Sequence, residues 1–324
     1  MSERSARLPW IDAWVTESLQ GQRGHALLAQ VPAGSGALAF GTACAQSWLC
    51  ESPAHQGLAC GRCASCRLVV SHTHPDVRVT VSEAVAVAEG LPVDVDEKRK
   101  PSRQIRIDEV RALIDWVVTT SGRGRGKVVV IHPAEAMNVA AASALLKTLE
   151  EPPPGVRLLL TTTDPALLLP TIRSRCQQQA LPPVPRAIAL AWLAQQDVPA
   201  PEVLLNASGG QPLAALQWHR DGLTAQRWSE LPAAVARGDA TVLADWGVPR
   251  SVDALQKLCH DAAVSACGGM PRFFPVARLM PGARLGAVMA WYKHLQGVMR
   301  HAEHPWNEAL LLEALVAEGQ QAWT

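Results

Sequence analysis

Two apolar segments constrain the fold of this chain more than any other feature. One is KVVVIHP, which starts at Lys127, and the other is VRLLLTTTD, which starts at Val156. Each segment is apolar throughout rather than alternating, which is typical of strands in a parallel sheet with helices on both faces. A segment with the spacing of an amphipathic helix, IRIDEVRALIDWVVT, precedes the first of them. The pattern predicts an α/β domain with a parallel sheet flanked by helices.

The same reasoning predicts the neighbouring elements. We expect strands over residues 25–30 and 76–82, and an exposed loop over residues 83–104, where prolines and mixed charges interrupt the apolar pattern. The helix before Lys127 is predicted to bury one apolar face, formed by Val110, Leu113, Ile114, Val117 and Val118. A second helix, capped by Asn138 and ended by Pro152, is predicted to bury Val139, Ala142, Leu145, Leu146 and Leu149.

A short glycine loop, VPAGSGALAF, lies between the first predicted strand and the helix that follows it. Phosphate-binding loops occur in this context and have the pattern G-x-x-x-x-G-K-[ST]. Here Gly34, Ser35 and Gly36 stand where such a loop turns. Ala37 and Leu38 stand where the lysine and the hydroxyl residue are required. The loop is therefore interpreted as a degenerate phosphate loop, although its spacing alone is more typical of an ordinary turn.

The strand that starts at Lys127 also lacks residues that nucleotide hydrolases require. In those enzymes this strand ends in acidic residues that hold Mg²⁺ and polarise water. Here it ends in His132 and Pro133, and Glu135 comes too late in the sequence. Because both halves of the hydrolytic machinery are absent together, the sequence predicts a nucleotide-hydrolase fold without ATP turnover.

Four cysteines form the most specific local motif. Cys50, Cys60, Cys63 and Cys66 are separated by nine, two and two residues. Pairs with two intervening residues direct both sulfurs to one centre, and four thiolates suit a structural zinc ion with no open coordination position. Reduced loop cysteines and an iron–sulfur cluster are the alternatives. His55, His72 or His74 could replace one ligand, and Cys44 is expected in the core.

The second half of the chain has a different character. After Arg175 only helical patterns are found, and the proline-rich LPPVP, residues 181–185, predicts the first domain boundary. A second break lies near residues 218–225, and a loop-rich segment occupies residues 268–284. The domains are therefore predicted as 1–180, with the cysteine module at about 50–66, then 181–220 and 221–324.

Composition excludes several classes of function. The chain has 324 residues and a formal net charge of +1, which gives no global signal for binding a polyanion. No segment reaches the roughly 18 uninterrupted apolar residues of a membrane span. The N-terminus has no apolar core of a signal peptide, so a cytoplasmic location without membrane contact is expected. Eight cysteines in such a chain favour metal binding or buried thiols over disulfides.

Two arginines follow the last apolar strand, in the segment TIRSRC. An exposed arginine at the edge of the sheet domain could enter a neighbouring subunit and contact γ-phosphate oxygens there. Arg173 and Arg175 are the candidates. By itself the motif is more typical of a surface arginine in a salt bridge.

Taken together, these motifs resemble the delta-prime subunits of the bacterial DNA polymerase III clamp loader, in the AAA+ superfamily. The resemblance extends over most of the chain and is densest over residues 21–220. Its segments occur in the family's order: HALLAQVPAGSG, the four-cysteine module, THPDVRVT, IDEVRALI, ASALLKTLEEPPP, RLLLTTTDPALLLPTIRSRC and ASGGQPLAAL. The most specific sign of this family is the combination of LLKTLEEPP with SRC. The segment HPWNEALLLEALV is similar to the last helix of the family's collar domain.

The resemblance implies an AAA+ domain with an inserted zinc module, a small helical lid and an all-α collar domain that mediates oligomerisation. It implies one structural zinc on the four cysteines, and Arg175 as an arginine finger offered in trans to a neighbouring ATPase subunit. In the lid, Pro212 and Leu213 replace the nucleotide-sensing arginine of catalytic relatives. No ATP is expected on this chain.

The resemblance also implies partners. They are the motor subunits and the delta subunit of the clamp loader, with the sliding clamp and primed DNA reached through the complex. The chain would then be a non-hydrolysing part of a DNA-directed DNA polymerase holoenzyme, a nucleotidyltransferase, that helps load the clamp onto primed DNA.

Two alternatives remain open from the residues. The first is a catalytic AAA+ ATPase with an unorthodox loop, in which another lysine reaches the phosphates; the nearest after the loop is Lys98. The second is a zinc-stapled DNA-binding protein that uses the SGRGRGK segment, with Arg123, Arg125 and Lys127, to contact phosphates.

Overall fold

A computed structural model describes residues 8–93, 99–279, 282–301 and 306–323. The chain divides after Val184 into two compact units. This division lies within the proline-rich LPPVP segment. None of the described helices has the length and apolar character needed to cross a membrane.

A five-stranded parallel sheet forms the centre of the first unit. Its strands are β1 (Ala26–Gln30), β2 (Val77–Val81), β3 (Lys127–His132), β4 (Val156–Thr162) and β5 (Gln177–Ala180). They are hydrogen-bonded in the order β2-β3-β4-β1-β5, and every pair is parallel. The carboxyl ends of the strands therefore meet at one edge, where the glycine loop follows β1.

Helices cover both faces of this sheet. The helices of the first unit are α1 (Ile11–Gly21), α2 (Ala37–Leu49), α3 (Ala64–Val70), α4 (Glu83–Ala88), α5 (Ile107–Val117), α6 (Val139–Glu150) and α7 (Pro170–Arg173). In β3, Val129 and Ile131 belong to the core shared with α5 and α6, while Val128 and Val130 pack with α2. Because side chains alternate along a strand, an entirely apolar strand is buried on both sides. The predicted parallel sheet with flanking helices is confirmed.

Three expectations for this unit are wrong in detail. The polar segment QQQA forms the edge strand β5, although only helices were expected after Arg175. Residues 83–88 form helix α4 rather than a loop, because Ser82 caps its first turn. Val118 and Val139 are 68% and 69% exposed rather than buried, because each lies at the end of its helix, beyond the face that contacts the sheet.

The second unit is helical in its described residues. Its helices are α8 (Arg186–Gln195), α9 (Pro201–Ala207), α10 (Pro212–Arg220), α11 (Ala225–Ala236), α12 (Gly247–Ala266), α13 (Leu285–Arg300) and α14 (Glu308–Gln320). Trp228 of α11 is fully buried and stacks between Trp218, Trp246 and Phe274. Aromatic rings of this size contribute a large share of the apolar area that a helical core buries.

A buried carboxylate fixes the loop-rich segment after α12. Asp261 is fully buried and accepts hydrogen bonds from the backbone N–H groups of Arg272, Phe273 and Phe274, at 2.9, 2.7 and 2.8 Å. Trp228 Nε1 donates to the carbonyl of Phe273 at 3.0 Å. A buried carboxylate with several backbone donors is well compensated. The segment is thereby attached to the aromatic cluster.

Candidate functional site

The glycine loop has the backbone that its sequence requires. Gly34 and Gly36 have φ values of 60° and 92°, in the left-handed region that favours glycine, and Gly36 caps the start of α2. Ser35 is buried, and its hydroxyl donates to the carbonyl of Pro32. Trp10 Nε1 donates to the carbonyl of Ser35 at 2.7 Å. The turn is therefore held by contacts within the chain.

The two residues after the turn supply no phosphate ligands. Ala37 has only a methyl group, which carries no charge for the β- or γ-phosphate. Leu38 is buried, so an isobutyl group occupies the position where a hydroxyl would coordinate Mg²⁺. Lys98, the nearest lysine after the loop, lies outside the described residues.

The carboxyl end of β3 is also occupied by intramolecular contacts. His132 Nδ1 lies 2.8 Å from Thr161 Oγ1, and burial lowers the pKa of this imidazole. A neutral imidazole that is hydrogen-bonded to β4 cannot replace a magnesium-binding carboxylate. Glu135 Oε1 accepts from the backbone N–H of Thr163 at 3.1 Å and from its hydroxyl at 3.0 Å. The first acidic residue after β3 in the sequence, Glu135, is thus hydrogen-bonded to the residue that follows β4.

The four cysteines converge on one centre. Their sulfur atoms all lie within 4.8 Å of one another, with 4.0 Å between Cys50 and Cys63 and 3.9 Å between Cys60 and Cys66. Tetrahedral zinc with Zn–S bonds of about 2.3 Å requires sulfurs about 3.8 Å apart. The described residues fit that requirement, so the cluster can hold a metal ion.

Backbone amides support these sulfurs. The N–H groups of Cys60, Cys63 and Cys66 donate to the sulfurs of Cys50, Cys60 and Cys63 at 3.3, 3.3 and 3.4 Å. Such donors orient metal-bound thiolates and offset their negative charge. The arrangement arises because Cys50 follows the end of α2 and Cys63 caps the start of α3.

The other candidate ligands lie outside this cluster. Among the described residues, the potential metal-binding group at this centre consists of the four cysteines alone. His74 Nδ1 accepts from the backbone N–H of Asp76 at 3.0 Å, and its Nε2 lies 3.3 Å from Ser65 Oγ. Cys44 is fully buried, and burial raises the pKa of its thiol, as expected for a core cysteine.

The basic segment SGRGRGK attaches the cysteine module to the sheet. Arg123 pairs with Glu51 at 2.5 Å and lowers the pKa of that carboxyl. Arg125 Nη1 donates to the carbonyl of Cys50 at 3.0 Å. Lys127 is buried, and its Nζ donates to the carbonyl of Trp116 at 2.6 Å. These three cations are engaged within the chain, which disfavours their assignment to nucleic-acid phosphates.

Arg175 lies just after α7, and its guanidinium is held on two sides. Its Nε donates to Glu150 Oε1 at 2.7 Å, and its Nη2 pairs with the same oxygen. Its Nη1 donates to the carbonyl of Thr171 at 3.0 Å and lies 3.5 Å from Ser174 Oγ. The Arg175 side chain is 29% exposed, so it remains accessible at the surface of this unit.

Arg173 lies two residues earlier in a different environment. It is the last residue of α7 and is half-buried, and its Nε has no hydrogen-bond partner among the described residues. Its carbonyl accepts from Gln178 Nε2 at 3.4 Å. Glu150 contacts Arg175 and is absent from the contacts of Arg173. The sequence did not single it out, because no spacing pattern relates Glu150 to Arg175, although Glu150 lies within the LLKTLEEPP segment.

Comparison with known proteins supplies independent information. Residues 9–185 match the protein family described as DNA polymerase III, delta subunit. The DNA polymerase III subunit delta' of Pseudomonas aeruginosa is 45% identical over 224 residues, which cover 68% of this chain and 63% of that protein. The match therefore spans less than two thirds of that relative's length.

Two further comparisons extend over nearly the whole chain. The DNA polymerase III subunit delta' of Escherichia coli is 30% identical over 332 residues, covering 95% of this chain and 94% of that protein. Among solved structures, a DNA polymerase III gamma-subunit-related protein of Thermotoga maritima aligns with a TM-score of 0.51 and 16% identity, covering 97% of this chain and 99% of that one. At that identity the likeness concerns the fold.

Proposed function

The chain belongs to the family of DNA polymerase III delta-prime subunits, and on this premise we propose that it is a non-hydrolysing subunit of a clamp loader. In this role it helps load the sliding clamp onto primed DNA within the polymerase holoenzyme. It offers Arg175 in trans to the ATP site of a neighbouring motor subunit. One observation carries the proposal: the phosphate loop lacks its ligands, while the chain presents an accessible, oriented arginine.

The chemistry of the finger follows from the charge that phosphoryl transfer develops. Negative charge grows on the γ-phosphate oxygens, and a planar guanidinium can meet two of them. Arginine fingers contribute factors of about 10³–10⁵ in rate in the systems where they act alone. A smaller loss is expected here if other subunits supply fingers to other sites.

Further parts of the proposal concern cofactors and organisation. One zinc ion on the four cysteines would stabilise the first unit without taking part in turnover, since four protein ligands leave no open position. The helical part is proposed to comprise a lid, residues 181–220, and a collar, residues 221–324, which would mediate assembly with motor subunits and the delta subunit. A complex that acts on chromosomal DNA would work in the bacterial cytoplasm.

Neither alternative gains support. A catalytic ATPase would need an acidic group at the end of β3, where His132 and Glu135 are instead hydrogen-bonded to Thr161 and Thr163. A DNA-binding role for SGRGRGK would require Arg123, Arg125 and Lys127 to give up intrachain contacts.

The test compares Arg175→Ala with Arg173→Ala in the reconstituted complex. ATP turnover, stimulated by clamp and primed DNA, is expected to fall with Arg175→Ala and to change less with Arg173→Ala. Zinc content and assembly should stay intact, because an exposed arginine contributes little to the core. If only Arg173→Ala slows the complex, the finger is assigned to the wrong arginine. If neither variant does, the role in trans is wrong.

A further inference from the structure

We propose that Glu150 is a positioning residue for Arg175, which holds the guanidinium in the orientation in which it meets the neighbour's nucleotide. This inference rests on the proposed function of Arg175. Glu150 is the last residue of α6 and lies 25 positions before the arginine in the sequence. Sequence spacing alone gives no reason to associate the two.

The contacts orient the guanidinium rather than merely neutralise it. Nε and Nη2, which form one edge of the planar group, both donate to Glu150 Oε1. Nη1 donates to the carbonyl of Thr171 from another direction. Two attachments that do not share an edge fix both the position and the plane of the group. At least one N–H of Nη2 is left for a phosphate oxygen, since that nitrogen carries two.

The two anchors are themselves fixed to one core. Leu145 and Leu149 of α6 are buried in the same apolar cluster as Ile172 of α7. The end of α6 and the residues after α7 therefore cannot shift independently without disturbing that cluster. The distance and orientation between the Glu150 carboxylate and the Arg175 backbone are therefore fixed, as the precise positioning of a catalytic group requires.

Stability does not explain the pair. The side chains of Arg175 and Glu150 are 29% and 49% exposed, and exposed ion pairs contribute little to folding. A long arginine side chain at the surface samples many rotamers unless it is held. We therefore expect Glu150 to affect the rate of ATP turnover by the complex rather than the free energy of unfolding of the chain.

The experiment uses the reconstituted complex with clamp and primed DNA, and compares Glu150→Ala, Glu150→Gln and Glu151→Ala. Glu151 is the exposed neighbouring residue and serves as the matched control. We expect Glu150→Ala to lower the maximal rate of ATP turnover about two- to five-fold, the range that corresponds to an exposed ion pair. The KM for ATP should not change. Glu150→Gln, which keeps an acceptor oxygen, should restore most of the rate, and Glu151→Ala should match the wild type.

A double variant separates positioning from other effects. If Glu150 acts through Arg175, adding Glu150→Ala to Arg175→Ala should cause no further loss. Equal zinc content and equal unfolding midpoints exclude a folding defect. A Glu150→Ala rate at or above that of the wild type, or a further loss in the double variant, would overturn the inference alone. A normal rate for Arg175→Ala would reject the proposed function and this inference with it.

Discussion

At the scale of single residues, the proposed absence of ATP hydrolysis rests on a few side chains attached to a turn that has the backbone geometry of a phosphate loop. Gly36 keeps the left-handed turn that joins β1 to α2, whereas Ala37 and Leu38 remove the phosphate ligands. The turn and the ligands are separable because the first depends on backbone freedom and the second on side-chain chemistry. A loop without phosphate ligands can therefore still connect β1 to α2 through the same tight turn.

The cysteine cluster leads to a prediction at the same scale. Cys63→Ser should lower the zinc content below one ion per chain, because a hydroxyl is a poorer ligand for zinc than a thiolate. The first unit should unfold at lower temperature, since metal binding to the native state stabilises it. The measurement is elemental analysis of protein purified without chelator, together with thermal unfolding.

Cys267→Ser is the control for this prediction, because Cys267 is exposed and lies at the end of α12. It should leave zinc content and the melting temperature of the first unit unchanged. Wild-type protein that contains no zinc under these conditions would contradict the assignment of this metal.

Sequence reasoning succeeded where spacing encodes geometry. The cysteines were found because two intervening residues bring a pair of sulfurs together, and Cys44 was assigned to the core. It does not identify partners that are far apart in the chain. From the sequence, phosphate binding by Arg123 is only an open alternative, and its actual partner, Glu51, lies 72 positions away. No local pattern indicates that pairing.

At the scale of elements, strands were predictable when they are buried on both faces. β3 and β4 are apolar throughout and were expected, whereas β5 is the polar edge strand QQQA and was missed. β5 has a neighbouring strand on one side only, and none of its side chains is fully buried, so its polar composition resembles that of a loop. β2 is the opposite edge strand, but the valines alternate along VRVTV and this strand was expected. Helix α4 was missed for a related reason, since its short segment has only one buried residue, Ala86.

Helix α4 is attached through Glu83, which predicts a pH dependence. Glu83 accepts from both terminal nitrogens of Arg99 at 2.6 Å and from the backbone N–H of Ser102 at 2.7 Å. The Arg99 contact is the main reason that the pKa of Glu83 is lowered from 4.5 to about 2. Because the folded-state pKa is lowered, this attachment contributes stability above about pH 4.5, and it is lost as the pH falls towards 2.

The measurement for this prediction is the urea midpoint of the wild type and Glu83→Gln as a function of pH. The variant should be less stable at pH 7, and the difference should shrink below pH 4.5. Asp108→Asn is the control, because that side chain is 87% exposed and its contact with Arg111 is 3.9 Å long. A difference that is independent of pH would show that the charge of Glu83 does not matter.

The aromatic cluster of the second unit gives another prediction about elements. Trp228 stacks with Trp218 at 5.7 Å, so helices on both sides of the proposed boundary near residue 220 share one core. Trp228→Ala should lower the free energy of unfolding of this unit by about 3–5 kcal/mol. Amides in α9 and α12 should lose protection from hydrogen exchange together.

The control is Leu310→Ala, because Leu310 is 63% exposed and its truncation should cost little. Hydrogen exchange followed in both helices is the measurement. Protection that persists in α9 after it is lost in α12 would mean that residues 181–220 fold independently of the collar.

At the scale of the whole molecule, the two units divide the proposed work. The sheet unit carries Arg175 and the four cysteines that can hold a metal ion, and the second unit is helical in its described residues. A chain that presents a finger to its neighbour needs the sheet domain for positioning but has no need for its own nucleotide. Under the proposed function, this division accounts for a sheet domain without phosphate ligands.

The last prediction follows from that division and concerns nucleotide. The isolated chain should show no measurable ATP hydrolysis and weak or no ATP binding in calorimetry with Mg²⁺. The double variant Ala37→Lys, Leu38→Thr restores the two missing loop groups, yet it should also fail to hydrolyse ATP, because His132 and Pro133 still replace the magnesium-binding acids. Wild-type turnover that a substitution within residues 31–38 abolishes would contradict the first expectation, since it would show that the loop is itself a working site, and ATP turnover by the double variant would contradict the second.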